Sequence, residues 1–216
     1  MADPFKIAYK YYRSAFNKWE FHKRKNEAHR KLKLWQRPYK LHLGCGEIRF
    51  NGWINIDLNK DLTDTDIIWD LAWGIPVEDS SCGLIFTEHM LEHISVNAGL
   101  SFLRECHRAL QPGGVVRIAM PSLDVLIEKA YLGNWREQDW LTWPAYQFIK
   151  TRAEMMNIFF RWWGHQWIYD REELHRRLRE AGFTDIRDVE WGKSEVPDMQ
   201  NRETRPDSLL ICEARK

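Results

Sequence analysis

The feature that most constrains this chain is a pair of short apolar runs set unusually close together. Leu41-His42-Leu43 leads into Gly44-Cys45-Gly46, and residues 44–52 alone separate it from Trp53-Ile54-Asn55-Ile56-Asp57. Two parallel strands normally need a dozen or more residues to cross over. The spacing therefore predicts a tight passage in which the first crossover helix is cut to about one turn. Gly44, Gly46 and Gly52 supply the backbone freedom such a passage needs.

Downstream, short apolar runs alternate with helical stretches, the pattern of a sheet built from βα units. Strands are expected near 40–43, 53–57, 66–69, 84–87, 115–119, 186–191 and 208–213, and helices over about 95–110, 122–132 and 170–181. Asp170 can cap the start of the last helix and Gly182 can end it. Gly113-Gly114 after Pro112 reads as a turn feeding the fifth strand. The fold class is α/β, a doubly wound, seven-stranded, mostly parallel sheet, which takes ligands beyond the carboxyl ends of its strands. The stretch from about 123 to 167 is too long for a simple link. It carries Trp135, Trp140, Trp143, Trp162, Trp163 and Trp167, and it is expected to fold over the crevice as a lid whose aromatics wall a pocket.

The catalytic body is expected over 39–216, preceded by a basic amphipathic helical extension over 1–38. Net charge is only +1, yet residues 1–40 hold twelve Lys/Arg against three acidic residues. Phe5, Tyr9, Tyr12, Phe16 and Trp19 fall on one helical face. That stripe suits docking on the body; the competing reading is peripheral contact of residues 5–35 with an anionic membrane surface. The run 21–26 reads as polar and solvated. Cys45, Cys82, Cys106 and Cys212 are far apart and form no CxxC pair, which fits a reducing compartment. With no apolar run long enough to span a bilayer and no secretory leader pattern, the expected location is cytoplasmic, with membrane association as the variant.

A strand ending in Gly-x-Gly lets backbone N–H groups approach a ligand closely. Dinucleotide spacing fails here because Arg49 stands where the third glycine would be. Asp57, ending the second strand, can accept both hydroxyl hydrogens of a ribose, and Asp70, ending the third, can accept from an exocyclic amine. Together they point to a nucleoside site.

At this point the chain resembles the small stand-alone class I S-adenosylmethionine-dependent methyltransferases of the type 11 group. The matching segments are Leu41–Gly46, Gly52–Asp57, Asp70-Leu71, Glu88-His89-Met90-Leu91-Glu92-His93, Leu103–Gly114 and Gly164–Asp170. The resemblance implies a Rossmann-like methyltransferase fold with S-adenosylmethionine as cofactor. It implies Leu43, Gly44, Cys45 and Gly46 at the methionine part, Asp57 and Leu58 at the ribose, Asp70 and Leu71 beside adenine, and Glu88 with His89 near the reacting methyl. Two positions depart from the pattern: His42 stands where many relatives have an acidic residue, and Gly83 replaces an Asp ahead of the fourth strand.

The expected activity is methyl transfer to an oxygen, less readily a nitrogen, of a small molecule or saccharide; nucleic acid is not an expected partner. The alternative is a non-catalytic cofactor-binding or scaffold protein whose basic arm docks on membrane or nucleic acid. A hydroxyl nucleophile benefits from a histidine base. His89, His93 and His165 are the candidates at the crevice, His165 foremost, with Tyr169 placed to orient substrate. No metal is expected. The runner-up is a site of His89, Glu92, His93 and His165, since positions 89, 92 and 93 share a helical face and the pattern is similar to that of metal-assisted small-RNA 2′-O-methylating enzymes.

Overall fold

The computed structural model describes residues 19–62 and 65–216. Seven strands form one sheet in the order β3-β2-β1-β4-β5-β7-β6. They are β1 (Tyr39–Leu43), β2 (Ile54–Asp57), β3 (Ile67–Ile68), β4 (Cys82–Glu88), β5 (Leu110–Met120), β6 (Asp185–Asp188) and β7 (Leu210–Arg215). The first five run parallel, and β7 inserts antiparallel between β5 and β6. The order reverses between β1 and β4, so the turn leaving β1 and the end of β4 frame the crevice where such sheets bind ligands. Among the described residues the helices beside the sheet are α1 over 19–32, α2 (Val96–Ala109), α3 (Leu123–Val125, continued by a π-helical stretch Leu126–Leu132), α4 (Arg152–Arg161) and α5 (Arg171–Glu180). Asp170 caps α5 by accepting the Glu173 N–H at 2.7 Å, and Gly182 ends it at φ +108°.

Three expectations are corrected. No helical turn forms in the first crossover. The face it would cover is filled instead by Phe50 and Trp53, which cluster with Phe86 and Met199, and the Arg202 guanidinium caps both rings at 4.8 and 5.2 Å. Large apolar side chains on a short loop thus take the place of a helix. Second, Gly113-Gly114 is an outward excursion within β5 rather than a turn ahead of it: Cys82 pairs with Leu110 and Leu84 with Val115. Third, the 21–26 run is not solvated throughout. Phe21 packs edge-on to Trp73 with centroids 5.4 Å apart, and Arg24 donates to the Ile68 carbonyl at 3.2 Å. With Ala28 and Leu32, both in the core, these positions recur at helical spacing, so one face of α1 is held against the body. Of the aromatic stripe only Trp19 lies within the described residues, and it is exposed.

The segment after β5 builds a small core of its own. Leu126, Ala130, Trp135, Leu141, Ile149, Met155, Ile158 and Phe159 cluster apart from the main core. Its return segment is fastened to the body, because Gln166 and Trp167 donate their N–H groups to the Glu92 carbonyl at 2.8 and 3.2 Å. Among the described residues no helix is long and apolar enough to cross a membrane.

Candidate active site

The loop leaving β1 closes onto the end of β2. Gly44 and Cys45 donate to the Ile56 carbonyl at 2.9 and 3.2 Å, and Gly46 donates to Asp57 Oδ2 at 2.8 Å. Gly44 sits at φ +67°, and a Cβ there would lie 2.8 Å from Met90 Cγ, so the position has no room for a side chain. Asn59 donates to Asp57 Oδ1 at 2.8 Å. Each carboxylate oxygen thus holds one backbone donor and keeps lone-pair capacity for a vicinal diol. Leu58 is exposed beside it, an apolar ledge, whereas Leu43 is fully buried. Burial pushes the Cys45 thiol up to about 11, so it is a small apolar wall rather than a nucleophile. Asp70 caps the turn Leu71–Trp73, accepting the Ala72 N–H at 2.9 Å. A glycine cradle followed by an acidic group with free acceptor capacity suits the adenosyl and methionine parts of S-adenosylmethionine.

On the other side of Met90, a cavity of about 440 Å³ opens between the lid and the carboxyl ends of β4 and β5. Its floor carries His89, His93 and His165, its aromatic walls are Trp143, Phe159 and Trp163, and Thr204–Asp207 close the far side. Two non-glycine residues with left-handed backbone line it, His89 at φ +50° and Trp163 at φ +60°. Such strain persists only where the surroundings enforce it and concentrates at functional sites. His89 Nδ1 stands 3.3 Å from Glu92 Oε1 and its Nε2 3.5 Å from Asp207 Oδ1. Burial pushes His89 down to about 4, only partly offset by the Asp207 charge. Burial also lowers His93, with His165 adding to the effect, and lowers His165 itself. Glu92, 1% exposed, is pushed up to about 8 by burial.

Two of the residues expected at the reacting end stand elsewhere. Glu88 does not face open space: it accepts the N–H groups of Thr204 and Arg205 and the hydroxyls of Thr204 and Ser208. Burial pushes its carboxyl up, but those four donors outweigh it and hold Glu88 below its usual range. It anchors the loop that walls the cavity. Tyr169 is fully buried in the core, and a Cβ on Gly99 of α2 would meet its hydroxyl at 2.7 Å. Its apolar neighbours draw the ring inward, away from any substrate. The 204–207 wall went unread in the sequence. Its available signal was length, since residues 189–209 form a connection far longer than the few residues two antiparallel neighbours need.

A family profile described as a methyltransferase domain matches residues 15–187, most of the chain, and the chain belongs to that family. It is an S-adenosylmethionine-dependent methyltransferase of class I, an enzyme rather than a scaffold. The fold is similar to that of a S-adenosylmethionine-dependent methyltransferase from Thermotoga maritima, described as a possible histamine N-methyltransferase. That similarity has 15% identity over 93% of this chain and 95% of that one, with a TM-score of 0.50. A S-adenosylmethionine-dependent methyltransferase from Archaeoglobus fulgidus is alike to the same degree, with 15% identity over 88% and 92% of the two chains and a TM-score of 0.50. No curated protein matches the chain.

Proposed function

We propose that the chain methylates an oxygen, less readily a nitrogen, of a small molecule or saccharide seated in the cavity beneath the lid. The observation that carries this reading is the convergence of three imidazoles on a cavity with aromatic walls. Trp143, Phe159 and Trp163 offer flat apolar faces to the ring of a sugar or heterocycle. S-adenosylmethionine supplies an electrophilic methyl on a sulfonium: the C–S electron pair stays on sulfur, and the acceptor oxygen forms the new C–O bond. The protein has to align the oxygen in line with that methyl and take up the hydroxyl proton. His89 Nε2 is buried without a hydrogen-bond partner and lines the cavity, which places it to receive that proton. Asp207, whose Oδ1 stands 3.5 Å from that same nitrogen, would steady the resulting imidazolium. On the cofactor side, Leu43–Gly46, Asp57 with Leu58, and Asp70 with Leu71 are proposed to hold the methionine, ribose and adenine parts.

The test is a panel of hydroxyl- and amine-bearing acceptors incubated with S-adenosylmethionine, with products read by mass and the methylated atom by NMR. An O-methyl product whose formation falls about a hundredfold or more in His89→Ala, with S-adenosylhomocysteine affinity retained, is expected. Products methylated only on nitrogen, or an undiminished His89→Ala rate, would overturn the reading.

A further inference from the structure

We propose that Glu92, His93 and His165 form a binding site for one divalent transition-metal ion, open toward the cavity. One ligand atom from each residue lies within 4.8 Å of the other two. Ligands bound 2.0–2.2 Å from an ion in tetrahedral geometry stand about 3.5 Å apart, so side-chain closure of about an ångström would complete the site.

The His165 imidazole is already held by a backbone contact. His165 Nδ1 lies 2.7 Å from the Phe159 carbonyl oxygen. A carbonyl can only accept, so Nδ1 carries the hydrogen and Nε2 presents its lone pair. A Cβ on Gly164 would lie 3.7 Å from His93 Nδ1, which identifies that nitrogen as the one facing the turn. His93 Nε2 then faces Glu92 Oε1 at 4.0 Å. A ring N–H tied to a backbone carbonyl is the usual outer support of a metal-ligating histidine.

The third ligand is the independent observation. Glu92 is buried, and neither of its carboxylate oxygens has a hydrogen-bond partner. With only the 3.3 Å ion-pair contact of His89 Nδ1 beside it, this buried carboxyl is costly, and a cation at that point would supply what the fold does not. Two nitrogens and one oxygen, with remaining positions open, form a donor set suited to zinc, cobalt, manganese or iron rather than magnesium or calcium. The second cluster of this kind, His175, Asp188 and Cys212, differs in one respect. Asp188 is already paired with His175 at 2.8 Å and with Arg171 at 3.0 Å. On the reading proposed above, the ion would hold the acceptor's oxygen at the cavity floor and leave His89 to take the proton.

The experiment uses the tag-free full chain, stripped with chelator and dialysed, then titrated with Zn²⁺ by calorimetry and with Co²⁺ by visible absorption. One ion per chain is expected, weakened at least a hundredfold in both Glu92→Gln and His165→Ala. S-adenosylhomocysteine affinity should stay within about twofold in both variants, showing that each is folded, and His175→Ala should bind the metals as the wild type does. Absence of a stoichiometric ion in the wild type, or binding that survives both substitutions, overturns the proposal. Wild type that binds S-adenosylhomocysteine but no metal sinks this inference alone. Failure to bind S-adenosylhomocysteine sinks the reading of the crevice itself.

Discussion

Thr204 donates its main-chain N–H at 2.9 Å and its hydroxyl at 2.5 Å to the Glu88 carboxylate, joining the end of β4 to a loop 116 residues further along. Arg205 and Ser208 add their own donors at 3.1 and 2.7 Å. The wall of the cavity is therefore hung on one buried carboxylate at the carboxyl end of β4.

Glu88→Ala removes the acceptor and leaves these donors unpaired in a largely buried setting. A loss of about 3 kcal/mol or more of folding stability is expected, since each is a hydrogen bond to a charged group. Urea denaturation monitored by tryptophan fluorescence measures it. A midpoint equal to that of the wild type would show that the loop is held by other contacts.

Tyr169→Phe tests the seating of that side chain. Its hydroxyl is buried without a partner, so removing it should leave stability unchanged or slightly raised and turnover within about twofold. A tenfold loss of turnover at unaltered stability would return Tyr169 to the catalytic machinery.

His42 makes a pH-dependent contribution. Burial pushes its imidazole from 6.5 down to about 4, against a weaker opposing bond to Asn55. The folded chain thus keeps His42 neutral while the unfolded chain takes up a proton below pH 6.5. The unfolded state binds more protons there, so stability falls as pH drops from about 6.5 toward 4 and is fully present above that window. Between pH 7 and 5 this group alone accounts for about 2 kcal/mol. Proton NMR of the His42 ring measures it directly; a folded-state midpoint near 6.5 would contradict the burial account.

The sheet was legible because period and punctuation suffice for it. Alternating apolar runs with glycine and aspartate at their ends mark all seven strands, and Asp170 and Gly182 mark the bounds of α5. The glycine loop and Asp57 also read out locally, since residues adjacent in the motif become adjacent in space. Glu88 did not: its partners lie in a loop whose position is set by the β6–β7 connection, and no local pattern encodes that meeting. Tyr169 was misread for the complementary reason. A tyrosine beside a histidine in a lid-return segment suggests a substrate contact, yet Gly99 on α2 makes the space into which the ring is drawn. The missing first helix follows the same logic, because Phe50 and Trp53 find Phe86 and Met199 only once the sheet has formed.

The most direct test of the central claim is calorimetric titration of S-adenosylhomocysteine into the wild type and Asp57→Ala. One molecule should bind per wild-type chain, and the substitution should weaken binding by about 1–3 kcal/mol through loss of charge-assisted hydrogen bonds to the ribose. Absence of binding to the wild type, or equal affinity in the two proteins, would contradict the placement of the cofactor between the Gly44–Gly46 loop and the end of β2.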